Sequence, residues 1–323
     1  MTLETFVAVQ LDGNGGGKRI EMGEAEKILR ERNGMVWLRF NALREEVEEW
    51  LNHSARFDSV VVEHLSFDES RPRSLLFEEG LLLSLRAVNH NESKDPEDMI
   101  AIKMWVEEKV ILTSRDQSIK SFDDIEKSLL AGKGPRTASQ FLSSLVNYLA
   151  DNTELTMDDL EDSLEELEGE IEPDDIMETR NQLTDLRRFA LRLKRYLTPQ
   201  REALNHLVSA PPKWLKRRDK TLITENIDQY NRFLDDLLFS SERVRMVQED
   251  LQNLDGDQMN GRMYTLTIAA TIFLPLSFFT GLFGINVGGI PFAESGMGFF
   301  SFCLFLVGFV VVQLLIFKRM KLL

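Results

Sequence analysis

The sequence predicts an α+β membrane protein, built as a cytoplasmic α/β/α domain, long stalk helices and two C-terminal transmembrane helices. Three observations carry that prediction. Short apolar runs alternate with helical patterns over residues 1–135, helical periodicity alone continues from Thr137, and the last 61 residues hold only Glu294, Lys318, Arg319 and Lys321 as charged groups. The charge balance divides along the same line. The chain of 323 residues has a net charge of −15, and since Met263–Leu323 sums to +2, residues 1–262 carry −17. Such an excess disfavours nucleic acid as a partner and favours cations. A single cysteine, Cys303 in an apolar run, excludes a disulfide framework and any cysteine-cluster metal site.

In the first domain, residues 1–135, seven apolar runs have strand length: Phe6–Val9, Met35–Phe40, Ser59–Val62, Ser74–Phe77, Gly80–Val88, Met99–Ile102 and Val110–Leu112. Helical spacing covers Gly23–Arg32, Ala42–His53 and Phe122–Gly132, which gives a sheet with covering helices. The glycine-rich stretch Asp12–Lys18 has two readings, a hairpin turn or a phosphate loop. Lys18 is followed by Arg19 rather than Ser or Thr, so the GxxxxGK[ST] arrangement is absent and the hairpin turn is the better reading.

Residues 136–212 read as an acidic and then a basic helix, with breaks near Glu172-Pro173 and Ser209–Pro212. Asp151–Glu178 contains fourteen acidic residues and no basic one, whereas Arg180–Arg201 carries Arg187, Arg188, Arg192, Lys194 and Arg195. An antiparallel hairpin sets these charges side by side, either as a solvated face or as a device that concentrates cations. The next helix, residues 213–262, repeats apolar or small residues at Ile227, Tyr230, Leu234, Leu237, Ser241, Val244 and, past Gln248, Leu251. This 3-4 spacing is a coiled-coil seam, which packs against copies of the same helix or against a neighbouring one. As a self-packing seam it predicts a parallel homo-oligomer.

Met263–Ala293 is free of charge, and Ser295–Phe317 is free of charge for another 23 residues. A helix crosses a hydrocarbon core of about 30 Å with about 20 residues, so two spans are expected, at residues 263–283 and 297–317. The glycine-rich piece between them, residues 284–296, reads as an extracytoplasmic loop. Arg262 precedes the first span and the tail 318–323 is basic, while the loop has no Lys or Arg, so both ends of the chain are expected in the cytoplasm. Met1–Leu11 contains Glu4 and no apolar core long enough for a signal peptide. The 3-4 spacing persists in the membrane as Met263, Leu266, Ala270, Leu274, Ser277, Gly281 and Gly284. Stalk and first span then form one helix of roughly 60 to 70 residues, on the order of 100 Å. Within it Pro275 leaves the Thr271 carbonyl without its helical donor.

Two helices cannot enclose an ion path, so transport requires an oligomer, with the membrane part of the seam as pore wall. Its alternative is an oligomerisation interface that conducts nothing. As a pore the stripe is neutral and has no carboxylate. A divalent cation must therefore pass at least partly hydrated, helped by polar rings at the two ends, where Asn260 and Asn286 stand.

Asn260, the run Leu266–Asn286, the short loop, the second span and the basic tail together resemble the CorA family of divalent-cation transporters. Most members carry Gly-Met-Asn at the outer end of the pore helix. Here Gly284-Ile285-Asn286 is followed by Val287–Pro291, which resembles the ZntB branch and turns the expected cargo from magnesium to zinc. The resemblance implies a funnel-shaped homopentamer in a bacterial inner membrane. It carries the pore role onto Asn260, Met263, Leu266, Ala270, Leu274 and Ser277, and the selectivity role onto Gly284, Ile285 and Asn286. It implies that Asn286 holds the ion's water shell, that Leu274 and Met263 close by dewetting, and that Glu294 gathers cations at the mouth or is a plain loop charge.

A tight zinc site is not legible. His53, His64, His90 and His206 form no HxxxH pair, no CxxC exists, and each histidine reads as a surface or core residue. No cofactor is expected, zinc being cargo. No Walker sequence appears, so flow is channel-like or coupled to a gradient, of protons for instance. The alternatives are a magnesium, cobalt or nickel channel of the main CorA type, or a membrane-tethered oligomeric scaffold. An enzyme lacks any nucleophile–base or metal-ligand constellation.

Overall fold

A computed structural model describes residues 5–41, 45–53, 57–66, 71–91, 98–115, 117–169, 176–285 and 296–320. The chain divides into two compact units, Met1–Gln248 and Glu249–Leu323. In the first, the strands are β1 (Phe6–Leu11), β2 (Gly17–Ile20), β3 (Met35–Asn41), β4 (Arg73–Leu76), β5 (Leu81–Ala87), β6 (Ile100–Val106) and β7 (Val110–Arg115). They form one sheet in the order β2-β1-β3-β7-β6-β5-β4, antiparallel except for β3 beside β7. Helices α1 (Met22–Glu31), α2 (Glu45–His53) and α3 (Ser59–Ser66) cover one face. The other face is covered by α4 (Lys120–Leu130), α5 (Ala138–Gly169), α6 (Ile176–Ser209) and the first part of α7 (Arg217–Phe283).

Alternation along β3 shows how one strand serves both layers. Val36, Leu38 and Phe40 pack under α1–α3, whereas Trp37 turns to Phe122 of α4 and Phe141 of α5, with ring centroids 5.6 and 4.8 Å away. Arg39 lies on the Trp37 side, almost wholly buried. It is compensated there by Glu126 and by Asp123 at 3.1 Å, with Arg19 of β2 closing on the same Glu126. A buried guanidinium is tolerable only when paired in this way.

Two expectations for the sheet are corrected. Ser59–Val62 is not a strand but the start of α3, and the strand β2 was absent from the predicted set. Asp58 decides the first. Its carboxylate accepts the Val60 amide at 2.9 Å and its carbonyl those of Val61 and Val62, an N-cap that overrides β-branched propensity. Val61, Val62 and Leu65 then bury one helical face. The second follows from position: β2 is an edge strand, so it accommodates an exposed Lys18 and a half-exposed Arg19 that reaches Glu126, and it shows no apolar run.

The Asp12–Lys18 stretch is a hairpin loop. Asp12 accepts the amides of Asn14 at 2.7 Å and Gly16 at 2.9 Å, and these bonds hold its carboxyl below the usual range. Two of the loop's amides are thereby committed to the protein's own carboxylate. Gly15 adopts a positive φ of 106° and its carbonyl receives the Gly134 amide at 2.7 Å, with no room there for a side chain.

Thr137 caps α5 through the Gln140 amide at 3.2 Å, and Gln140 reaches back to the Arg136 amide at 2.9 Å, close to a capping box. Within the first unit the stalk seam is closed inside the chain, not against copies of itself. Ile227, Tyr230, Leu234, Leu237 and Val244 are all buried in the single chain, the first four in one cluster with α5 and α6. A polar node fixes the register. Gln200 of α6 donates to the Tyr230 hydroxyl at 2.8 Å while its carbonyl oxygen accepts the Arg86 amide of β5 at 2.6 Å. Burial pushes the Tyr230 phenol upward. Arg243 of α7 clamps Glu168 of the acidic helix α5 at 2.6 Å and lies 3.7 Å from Glu161. Those carboxylates are thus held by α7, while Arg188 of α6 pairs with Asp185 of its own helix at 3.2 Å.

Candidate functional site

The second unit contains the end of α7 and α8 (Gly298–Arg319). Both helices carry windows of mean hydropathy 1.9 and 2.7 in which no residue is buried, unlike the core helix of a soluble protein. The protein is a membrane protein with two apolar C-terminal helices.

These two helices pack antiparallel through phenylalanines. Phe283 meets Phe302 at 4.8 Å, and Phe279 meets Phe305 and Phe309 at 5.3 Å each. At about 100° per residue, Phe279, Phe283 and Pro275 lie on one side of α7. Met263, Leu266, Ala270, Leu274 and Ser277 lie on the other side, within roughly a third of the circumference, and all are exposed in the single chain. Leu266 and Leu274 are each 72% exposed, the expected state of a face reserved for something other than α8. Asn260 is exposed at the start of that stripe and Ile285 at its end. Asn286 and Glu294 lie outside the described residues.

Threonine hydroxyls in the first span are spent locally. Thr265, Thr267, Thr271 and Thr280 each donate to the carbonyl four residues earlier, at 2.7 to 3.0 Å, so none needs water or a partner helix. Gly284 ends the helix, its amide bonded to Thr280 at 3.0 Å. A Cβ there would stand 3.0 Å from the Thr280 carbonyl, tighter than ordinary contact.

One residue of this region escaped sequence reasoning. Gln313 of α8 donates through Nε2 to the Thr271 carbonyl at 3.2 Å, the carbonyl that Pro275 leaves without a donor. The orphan was legible from the proline, and a lone glutamine within an otherwise apolar span was the available signal for its partner.

Among the described residues no group of three or more His, Cys, Asp or Glu converges as a metal site. His64 is buried, and His53, His90 and His206 are exposed and apart in the chain. What the second unit offers is a helix pair with one satisfied face and one unpartnered, uncharged face.

A family model described as CorA-like Mg2+ transporter protein matches residues 32–319. The zinc transport protein ZntB of Pectobacterium carotovorum is 33% identical over 304 residues, which are 93% of this chain and 90% of that one. The divalent cation transporter CmaX of Pseudomonas aeruginosa is 34% identical over 313 residues, covering 96% and 94%. The solved full-length CmaX structure superimposes with a TM-score of 0.82 at 32% identity, covering 99% of each chain. With two apolar helices after an α/β domain, and a match across nearly its whole length, the chain belongs to the CorA-like family of metal-ion transporters, whose work is transport and not catalysis.

Proposed function

We propose that the protein carries divalent cations, zinc first among them, through a homopentameric pore in a bacterial inner membrane, with both chain ends cytoplasmic. The observation that carries this reading is the exposed stripe of α7 from Met263 to Ser277, set opposite the face that α8 covers. Copies of α7 facing an axis turn that stripe into a wall. Zinc is favoured over magnesium by the name of the relatives called zinc transport protein and by Ile285 in place of the family's methionine.

The wall offers no charge, so it cannot replace a divalent ion's inner waters, and the ion passes hydrated. Rings of Asn260 at the inner end and Asn286 at the outer end hold that water shell through amide oxygens. Gly284 and Ile285 shape the outer mouth, and Glu294 concentrates cations before it. Met263 and Leu274 are the narrow apolar rings. A proton gradient supplies the driving force when metal moves against its own gradient.

Metal-resolved flux into proteoliposomes tests the reading, with Zn2+, Co2+, Ni2+, Cd2+ and Mg2+ in competition, with and without a pH gradient. Zinc flux that competing magnesium leaves unchanged is expected, and Asn286→Leu should reduce it by at least about tenfold while oligomer size survives. Magnesium outcompeting zinc would move the protein to the main CorA type. A stable oligomer passing no cation would make it a scaffold.

A further inference from the structure

We infer that Gln313 is a positioning residue of the ion path: it supplies the hydrogen bond that Pro275 removes from α7 and thereby lets α8 hold the Leu274 segment in place. The inference rests on the proposed pore and deepens it. Because Pro275 has no N–H, the Thr271 carbonyl has no donor four residues on, yet α7 remains helical through this point. Thr271 cannot serve itself, since its hydroxyl is bonded to the Thr267 carbonyl at 2.7 Å.

The donor comes from the other helix, Gln313 Nε2 at 3.2 Å. As a carbonyl can only accept, the amide must present its NH2 side. Gln313 is the one carboxamide in α8, flanked by Val310, Val311 and Val312 on one side and Leu314, Leu315 and Ile316 on the other. A polar side chain in such a run is costly, and the orphaned carbonyl gives it a partner. Among the described residues its Oε1, sealed from solvent, has no hydrogen-bond partner, so the Nε2 bond is what holds the amide there.

That bond crosses from α8 to the turn of α7 that immediately precedes Leu274 and Pro275. A proline leaves α7 free to bend at this level, and the clasp removes that freedom by tying the turn to a second helix. Movement of α8 is thereby transmitted to the Leu274 ring.

The test is a double-mutant cycle on the full-length protein in liposomes, read as basal zinc leak with oligomer size confirmed. Gln313→Leu, or Gln313→Met as a second apolar replacement, should raise the leak roughly two- to tenfold, the equilibrium effect of one lost hydrogen bond. In a Pro275→Ala background the amide at position 275 returns to the Thr271 carbonyl. Gln313→Leu should then change the leak by less than about twofold, a dependence on proline that mere packing does not predict. Wild-type leak in both Gln313 variants, or a rise that persists undiminished with Pro275→Ala, overturns the assignment. Leu274→Asn run alongside separates the two claims. If it leaks while the Gln313 variants are silent, the gate stands and the clasp falls. If it does not leak, the gate itself falls and takes the clasp with it.

Discussion

His64 is buried in α3, where Arg73 Nη2 lies 3.0 Å from its Nδ1 and the Ser84 hydroxyl 3.2 Å from its Nε2. A guanidinium only donates, so Nδ1 accepts and the ring is neutral with its proton on Nε2. Burial, and then the cations Arg73 and Lys103, lower its pKa from 6.5 to about 4, against a smaller opposing effect from the Leu83 backbone. The sign follows from which state takes up the proton. Between pH 6.5 and about 4 the unfolded chain binds a proton that the folded one refuses. This contribution to stability is therefore complete above pH 6.5 and declines as the pH falls. From pH 7.5 to 5 the loss should be on the order of 2 kcal/mol. Urea unfolding of the detergent-solubilised protein at both pH values checks it, because His64→Gln should remove about that much of the acid sensitivity. An unchanged pH slope in the variant would show that His64 is not buried neutral.

Among the elements, the stalk helix shows what periodicity can and cannot reveal. The 3-4 spacing from Ile227 to Leu251 correctly marks a stripe that must leave water, but spacing does not say which helix covers it. From Ile227 to Leu237 the chain's own α5 and α6 do so, as the buried Gln200–Tyr230 contact makes plain. The same limit explains Gln313: a proline advertises its orphaned carbonyl within one helix, whereas the donor depends on how two helices dock. The spans were legible because charge-free runs of that length have few other uses, and most strands because they alternate between two covered faces. Edge strand β2 and the Asp58-capped α3 were not, since local composition there points away from the tertiary outcome. A corrected prediction follows for assembly. Leu237 is fully buried, whereas Phe239 is 62% and Met246 52% exposed, seven residues apart on the far side of the helix. Leu237→Glu should destabilise the fold itself by roughly 3 to 5 kcal/mol through an unpaired buried charge. Phe239→Glu should leave the melting temperature within about 2 °C of wild type and weaken the oligomer. Circular dichroism reads the first effect and native mass spectrometry the second. A full-strength oligomer with Phe239→Glu would place the contact between copies elsewhere.

For the whole molecule the proposed function turns on an ion path that one chain cannot form. Residues 1–262 carry −17, which favours cations, whereas the stripe from Met263 to Ser277 is neutral and exposed. Only when copies of α7 face one axis does Leu274 become a ring, and only then does its chemistry bear on permeation. Leucines meeting on an axis exclude water because a narrow apolar constriction cannot repay water for its lost hydrogen bonds, so a ring of this kind would shut the proposed path without any charged plug. An asparagine ring offers those hydrogen bonds back and keeps the same constriction wet. Leu274→Asn should accordingly raise basal zinc leak by about tenfold or more and weaken its dependence on a pH gradient, with oligomer size unchanged. In the single chain Leu274 is 72% exposed and has little packing to lose, so the substitution is expected to act through the assembly. Intact Leu274→Asn oligomers that leak no more than wild type across a range of zinc gradients would move the barrier to Met263. That residue, 57% exposed on the same stripe, is the next apolar side chain wide enough to form such a ring, at the N-terminal end of the stripe.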